Sequence, residues 1–194
     1  MTTADVRTEL EAAVAELPAG LRDHVLRVVT EARRLALRYG VDEDRATLAA
    51  LGHDLARGHT SADLLRQAEA AGLTPSDIER AQPILLHGPL SARLMAERFS
   101  IVDDDVLAAA CYHTTARAGM SALERVIYVA DKIEPEKARR EPALGDARRL
   151  ADSDLDAALR ELLDYQVSRA VERGWPLHPD TVAARNELVG SSDT

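Results

Sequence analysis

Leu21, Val25, Val28, Ala32 and Leu35 recur at steps of three and four residues. That spacing sets all five on one side of an α-helix and does not fit the two-residue alternation of a half-buried strand. The same period returns along the chain. Val106, Ala109 and Ala110 share a face over 103–112, and Leu123, Val126, Ile127 and Ala130 form another stripe. A longer stretch over 152–173 carries Leu155, Leu159, Leu162 and Ala170 inward. Composition removes the competing folds: aromatics are 3% of 194 residues, whereas sandwiches and barrels draw on aromatic and β-branched runs. The fold class expected is all-α, a single compact bundle of about seven to nine helices over 1–190 with a tail over 191–194.

Punctuation supports the helices. Gly40 closes the first segment; 46–55 is apolar on nearly every side, as in a helix buried among others. Thr74-Pro75 reads as a cap with Pro at the first helical position, and Gly88-Pro89 opens the segment holding Leu90, Leu94 and Met95. Ser121-Ala122-Leu123-Glu124 has the form of a capping box. The break at Gly174-Trp175-Pro176 precedes a last short helix over about 180–188.

Charge and cysteine usage narrow the function. With 24 Lys+Arg against 33 Asp+Glu the net charge is −9, which argues against non-specific nucleic-acid binding through many phosphate contacts. A small phosphorylated ligand remains compatible if its site carries metal or local positive charge. The single Cys111 cannot form an internal disulfide and suits a reducing compartment. The first ten residues lack the pattern of a signal peptide, and no apolar run approaches the roughly 18 residues of a membrane span. A cytoplasmic protein without membrane association is expected.

Polar residues interrupt the apolar faces. His24 shares a face with Leu21 and Val28, His53-Asp54 follows the run 46–51, His113 follows Val106, Ala109 and Ala110, and Asp131 falls four residues after Ile127. A buried carboxylate is expensive unless paired or bound to a cation. Imidazole and carboxylate together suit iron, manganese, nickel or zinc. His24, His53, Asp54 and Asp131 therefore read as metal ligands. His87 and His113 read as ligands of a second metal or as contacts to a substrate phosphate, with Asp54 bridging two ions.

The segments carrying these residues resemble a known family. His24, Gly52-His53-Asp54, Leu86-His87-Gly88, His113-Thr114-Thr115, Ala130-Asp131-Lys132-Ile133-Glu134-Pro135, Leu177-His178-Pro179, Thr181 and Arg185-Asn186 resemble the HD-domain phosphohydrolases. Within them they resemble the bacterial symmetrical bis(5′-nucleosyl)-tetraphosphatases. The resemblance runs from about Leu21 to Asn186 and implies an all-α, metal-dependent hydrolase splitting diadenosine tetraphosphate into two ADP. It implies a metal core over about 21–140, with C-terminal helices over 146–188 completing the nucleotide site. The cofactor implied is one or two transition-metal ions of iron type, with manganese, nickel or cobalt as substitutes. Asp54, His87, His113 and Arg57 take the catalytic roles. The nucleotide is expected to meet His24, Asp54, His87, His113, Thr114, Asp131, Lys137, His178, Thr181 and Arg185. A homodimer is compatible with the way family members and small helical enzymes often associate. Three positions depart from its pattern: Arg57 stands where Lys is common, Ala116 where Gly is common, and Lys137 where Arg is common. Rival readings are another HD activity, on nucleoside monophosphates or deoxynucleoside triphosphates, and a nucleotide sensor or scaffold without turnover. A cyclic-dinucleotide phosphodiesterase is disfavoured because no Gly-Tyr-Pro signature is present.

Other residues take plainer readings. His59 is solvated, Cys111 a small core residue and Trp175 a packing anchor. His178 either stabilises its turn or touches the nucleotide. Glu134 either orients Lys132 or Lys137 or is solvated. Arg33-Arg34, Arg139-Arg140 and Arg148-Arg149 read as ordinary exposed surface.

Overall fold

The computed structural model describes residues 2–190; the expected tail over 191–194 lies outside the described residues. Twelve α-helices and one 3₁₀ turn are present among them, and no strand. They are α1 Thr3–Ala15, α2 Ala19–Tyr39, α3 Glu43–Gly52, α4 Ser61–Ala70, α5 Asp77–Ala81, the 3₁₀ turn Pro83–Leu86, and α6 His87–Phe99. They continue as α7 Asp104–Tyr112, α8 Ala122–Ile133, α9 Pro135–Arg140, α10 Leu144–Leu150, α11 Leu155–Glu172 and α12 Pro179–Gly190. The count exceeds the expected seven to nine because α5, α9 and α10 hold only 5, 6 and 7 residues. Such lengths show less than two turns of apolar period.

Caps set most boundaries and correct two of them. Ser121 accepts from the Glu124 amide while Glu124 reaches back, as expected. The helix after Thr74-Pro75 instead starts at Asp77, because Ser76 and Glu79 form a reciprocal capping box there. The long C-terminal helix starts at Leu155, because the Asp154 carboxylate accepts the Ala157 amide. Gly40 ends α2 at φ 67°, the left-handed conformation glycine adopts without steric cost.

At the centre α3 is enclosed by α2, α7 and α8, so 46–52 are all buried. Leu35, Leu51, Met95, Ile127, Tyr128, Leu159 and Leu163 fill the main core. A smaller cluster of Ala56, Leu64, Ala68, Leu86 and Leu90 lies under α4 and α6. Two glycines let the helices close up beside the polar residues. A Cβ on Gly52 would collide with the Met95 side chain, and one on Gly88 would collide with the Cys111 carbonyl oxygen. Gly52 precedes His53 and Gly88 follows His87, so these two close approaches bring α3, α6 and α7 to a common point.

Arg148 and Arg34 are not ordinary surface. Both bind the buried Glu31 carboxylate, at 2.7 and 2.8 Å, and Arg148 also donates to the Ile133 carbonyl at the end of α8. Glu31 lies on the inward face of α2, so two guanidinium groups must reach in to satisfy it.

Candidate metal centre

His53 and His113 sit at the C-terminal ends of α3 and α7, where the last helical carbonyls lack intrahelical partners. Each ring uses that: His53 Nδ1 donates to Ala50 O and His113 Nδ1 to Ala110 O, both at 2.7 Å. His87 Nδ1 makes the same contact with Ile84 O across the 3₁₀ turn. His24 lies inside α2, and its Nδ1 donates to Glu134 Oε1 at 3.2 Å. Carbonyl and carboxylate oxygens only accept, so each Nδ1 carries a proton, and a neutral ring then presents its lone pair at Nε2.

The four Nε2 atoms converge on two carboxylates. Asp54 Oδ2 is 3.5 Å from both His24 Nε2 and His53 Nε2. Asp54 Oδ1 is 3.0 Å from His87 Nε2 and 3.4 Å from His113 Nε2. Asp131 Oδ1 is 3.0 Å from His24 Nε2 and 3.9 Å from His53 Nε2. Yet His24 Nε2, His53 Nε2 and both Asp54 oxygens are buried without a hydrogen bond, a state that costs about 1–3 kcal/mol per group or more when charged. Facing lone pairs and carboxylate oxygens with no proton between them fit a cation. His24, His53 and Asp131 offer ligand atoms within 4.8 Å of one another, as do His53, Asp54 and His113.

Burial and charge set the ionisation. Burial opposes ionisation of Asp54, but the imidazoles around it, His53 first, hold its carboxyl well below the ordinary range. Burial likewise opposes the Asp131 charge, and the ammonium groups of Lys132 and Lys137 outweigh it. Lys132 donates to Asp131 Oδ2 at 2.6 Å and to His113 O at 2.9 Å, and Lys137 donates to Asp131 Oδ1 at 2.5 Å. Burial pushes His113 down to about 3, so its ring is neutral at neutral pH.

A cleft of about 490 Å³ opens beside Asp131. Arg57, Thr114, Lys137, His178 and Thr181 line it, together with Lys132, Arg140, Glu141, Tyr165, Gln166, Arg169 and Trp175. Arg57 reaches back to within 3.6 Å of Asp54 Oδ2, and Thr114 Oγ1 lies 3.3 and 3.2 Å from His87 and His113 Nε2. Arg185 is not brought to the cleft: its Nε donates to Asp164 at 2.7 Å across the packing of α12 on α11. Trp175 is 46% exposed on the cleft rim and anchors no core. His178 does brace its turn, accepting the Asp180 amide at 3.3 Å. Glu134 is buried on His24 and Arg27 and touches neither lysine. The Glu-Pro step was the available signal: Glu134 caps α9 by accepting the Glu136 amide, and Pro135 takes its first position.

The HD-domain family pattern matches residues 21–136, which contain every one of the converging histidines and aspartates. The chain belongs to the HD-domain family. This HD-domain protein is similar to the Bacillus subtilis (strain 168) protein named symmetrical bis(5′-nucleosyl)-tetraphosphatase. They are 36% identical over 169 residues, spanning 87% of this chain and 89% of that one. A Halalkalibacterium halodurans protein of the same name is 36% identical over 166 residues, spanning 86% and 87%. A crystal structure from Clostridium acetobutylicum, described as a predicted HD superfamily hydrolase involved in NAD metabolism, superposes with a TM-score of 0.89. It is 33% identical and covers 95% of this chain and 97% of that one. Within the HD-domain family the chain thus belongs to the symmetrical tetraphosphatase branch, and it is a hydrolase. No helix among the described residues is long and apolar enough to cross a membrane.

Proposed function

We propose that this HD-domain protein hydrolyses diadenosine tetraphosphate symmetrically to two ADP. The observation that carries the reading is the split of Asp54: one oxygen faces His24 and His53, the other faces His87 and His113. His24, His53, Asp54 and Asp131 would hold one divalent metal, and His87, His113 and the other Asp54 oxygen a second. The mixed imidazole and carboxylate donors admit iron, manganese, nickel or cobalt, and an iron-type ion is the one the family resemblance implies. Such ions supply Lewis acidity and lower the pKa of a bound water.

The chain's own groups do the rest. Asp54 orients the attacking water between its two histidine pairs. His113, kept neutral by burial, presents a lone pair rather than a charge. Arg57 at the cleft edge is permanently charged, so it neutralises phosphoryl oxygens and moves no proton. Lys137 and Lys132 stand between Asp131 and the cleft, where they offset charge building on the departing diphosphate. The Thr181 hydroxyl is committed to Thr115 O at 2.7 Å, so this residue shapes the nucleotide seat rather than donating to it.

Chromatography of products from metal-loaded protein tests the reading. ADP as the sole nucleotide product is expected. AMP with ATP would mean asymmetrical cleavage, orthophosphate release from a nucleoside monophosphate would mean a nucleotidase, and binding without products would mean a sensor; each of these overturns the proposal.

A further inference from the structure

The cleft extends beyond the groups that the proposed reaction uses, and its rim carries the only tryptophan of the chain. Gln166 marks the inner end, with its Nε2 3.4 Å from Thr114 O beside the histidines. One helical turn further along α11 lies Ala170, whose carbonyl accepts the Trp175 amide at 2.8 Å. Gly174, at φ 64°, turns the chain back so that Trp175 stands over the cleft instead of running on from the helix. The indole is 46% exposed. It is also oriented: the Arg173 guanidinium lies 4.9 Å from the ring centroid, a cation–π contact that fixes the ring from one side. Arg169 lines the same wall, with its guanidinium 3.3 Å from Glu141, a carboxylate that also lines the cleft. An exposed indole on a cleft wall offers its π-face to a planar ring.

We propose that Trp175 is the seat of the second nucleobase of a dinucleoside polyphosphate, stacking the base that lies farther from Asp54, with Arg169 receiving the phosphates next to it. This rests on the phosphohydrolase reading above and adds what that reading lacks, a reason for preferring a substrate with two nucleosides over one. Stacking needs only the π-face of a base, so the seat accepts any nucleobase and selects for the presence of a second nucleoside rather than its identity.

The lone tryptophan makes the test direct. Its fluorescence is followed while the metal-loaded protein is titrated with diadenosine tetraphosphate carrying a methylene bridge in place of the central oxygen, and separately with ADP. Calorimetry gives both affinities for the wild type, Trp175→Ala and Trp175→Phe. Expected are quenching by the analogue and little by ADP at saturation of the inner seat. The analogue should bind roughly tenfold or more weakly to Trp175→Ala, with most of that loss recovered in Trp175→Phe and no comparable loss for ADP. Equal losses for both ligands would place Trp175 in the inner seat or in the fold, and an unresponsive fluorescence with unchanged affinities would remove it from the site; either result overturns the proposal. If neither ligand binds and the wild type forms no ADP, the phosphohydrolase reading falls first and this proposal with it.

Discussion

The Glu134 carboxylate receives the Nδ1 proton of His24 through Oε1, across 3.2 Å, from a position 110 residues further along the chain. Its other oxygen takes the Arg27 Nε–H at 2.6 Å. Burial opposes its ionisation, but the hydrogen bonds from Arg27, the Glu136 amide and His24 hold Glu134 below the ordinary glutamate range. The pair fixes the ring of the one histidine here that has no helical carbonyl beneath it, and a charged partner on Nδ1 makes Nε2 a better donor.

Glu134→Gln keeps the shape and removes that charge. Metal affinity, read by competition with a chromophoric chelator, should fall by roughly 10- to 100-fold while the fold survives. Unchanged affinity would show that His24 needs no charged support.

The two crowded glycines should differ. At Gly88 the obstacle to a Cβ is the Cys111 backbone carbonyl, which cannot swing away; at Gly52 it is the flexible Met95 side chain. Gly88→Ala should therefore destabilise the protein by about 2–3 kcal/mol, and Gly52→Ala by less, about 1 kcal/mol. Denaturant unfolding of both variants measures this, and the reverse order would contradict the packing described.

Glu31 is a buried carboxylate held by Arg34 and Arg148, themselves partly in solvent. Arg148→Met removes one partner and also frees the Ile133 carbonyl. Solvent screening of the guanidinium keeps the expected cost to about 2 kcal/mol. A loss below a few tenths would mean that water replaces Arg148 without penalty.

Asp103 gives a pH signature far from the histidines. The Arg45 guanidinium hydrogen-bonds it and holds its carboxyl below the usual 3.8, against a smaller effect of burial. A carboxyl lowered on folding adds stability above its unfolded value and loses it as the pH drops through the folded one. Wild type should exceed Asp103→Asn by a constant margin above about pH 5, and the margin should shrink toward zero below about pH 4. Unfolding of both proteins across this range is the check; a margin that persists on acidification would assign the effect to helix capping alone.

What was legible in the sequence follows from how each feature is encoded. His24, His53, Asp54, His113 and Asp131 stood out because each breaks an apolar helical face, and the structure gathers them within a few ångströms. Helices α2, α8 and α11 were legible because their stripes run for about two turns or more. Glu134 and Arg27 were not: the Glu-Pro step marks Glu134 as a helix cap, but neither it nor the mixed helix face of Arg27 marks a buried ion pair. Trp175 misled for a related reason. A lone indole is usually packed, and only the left-handed turn at Gly174 shows that this one is turned onto a rim. Arg185 follows the cleft residue Thr181 by four positions, but its guanidinium is held by Asp164 of α11 instead.

In the proposed reaction Asp54 joins the two histidine pairs into one hydrolytic metal centre. The most direct measurement combines metal content with product formation from diadenosine tetraphosphate, for wild type and Asp54→Ala prepared alike. Wild type should retain metal and yield ADP alone, while Asp54→Ala, still helical by circular dichroism, should lose both the metal and the ADP. An Asp54→Ala protein that makes ADP at the wild-type rate would contradict the account.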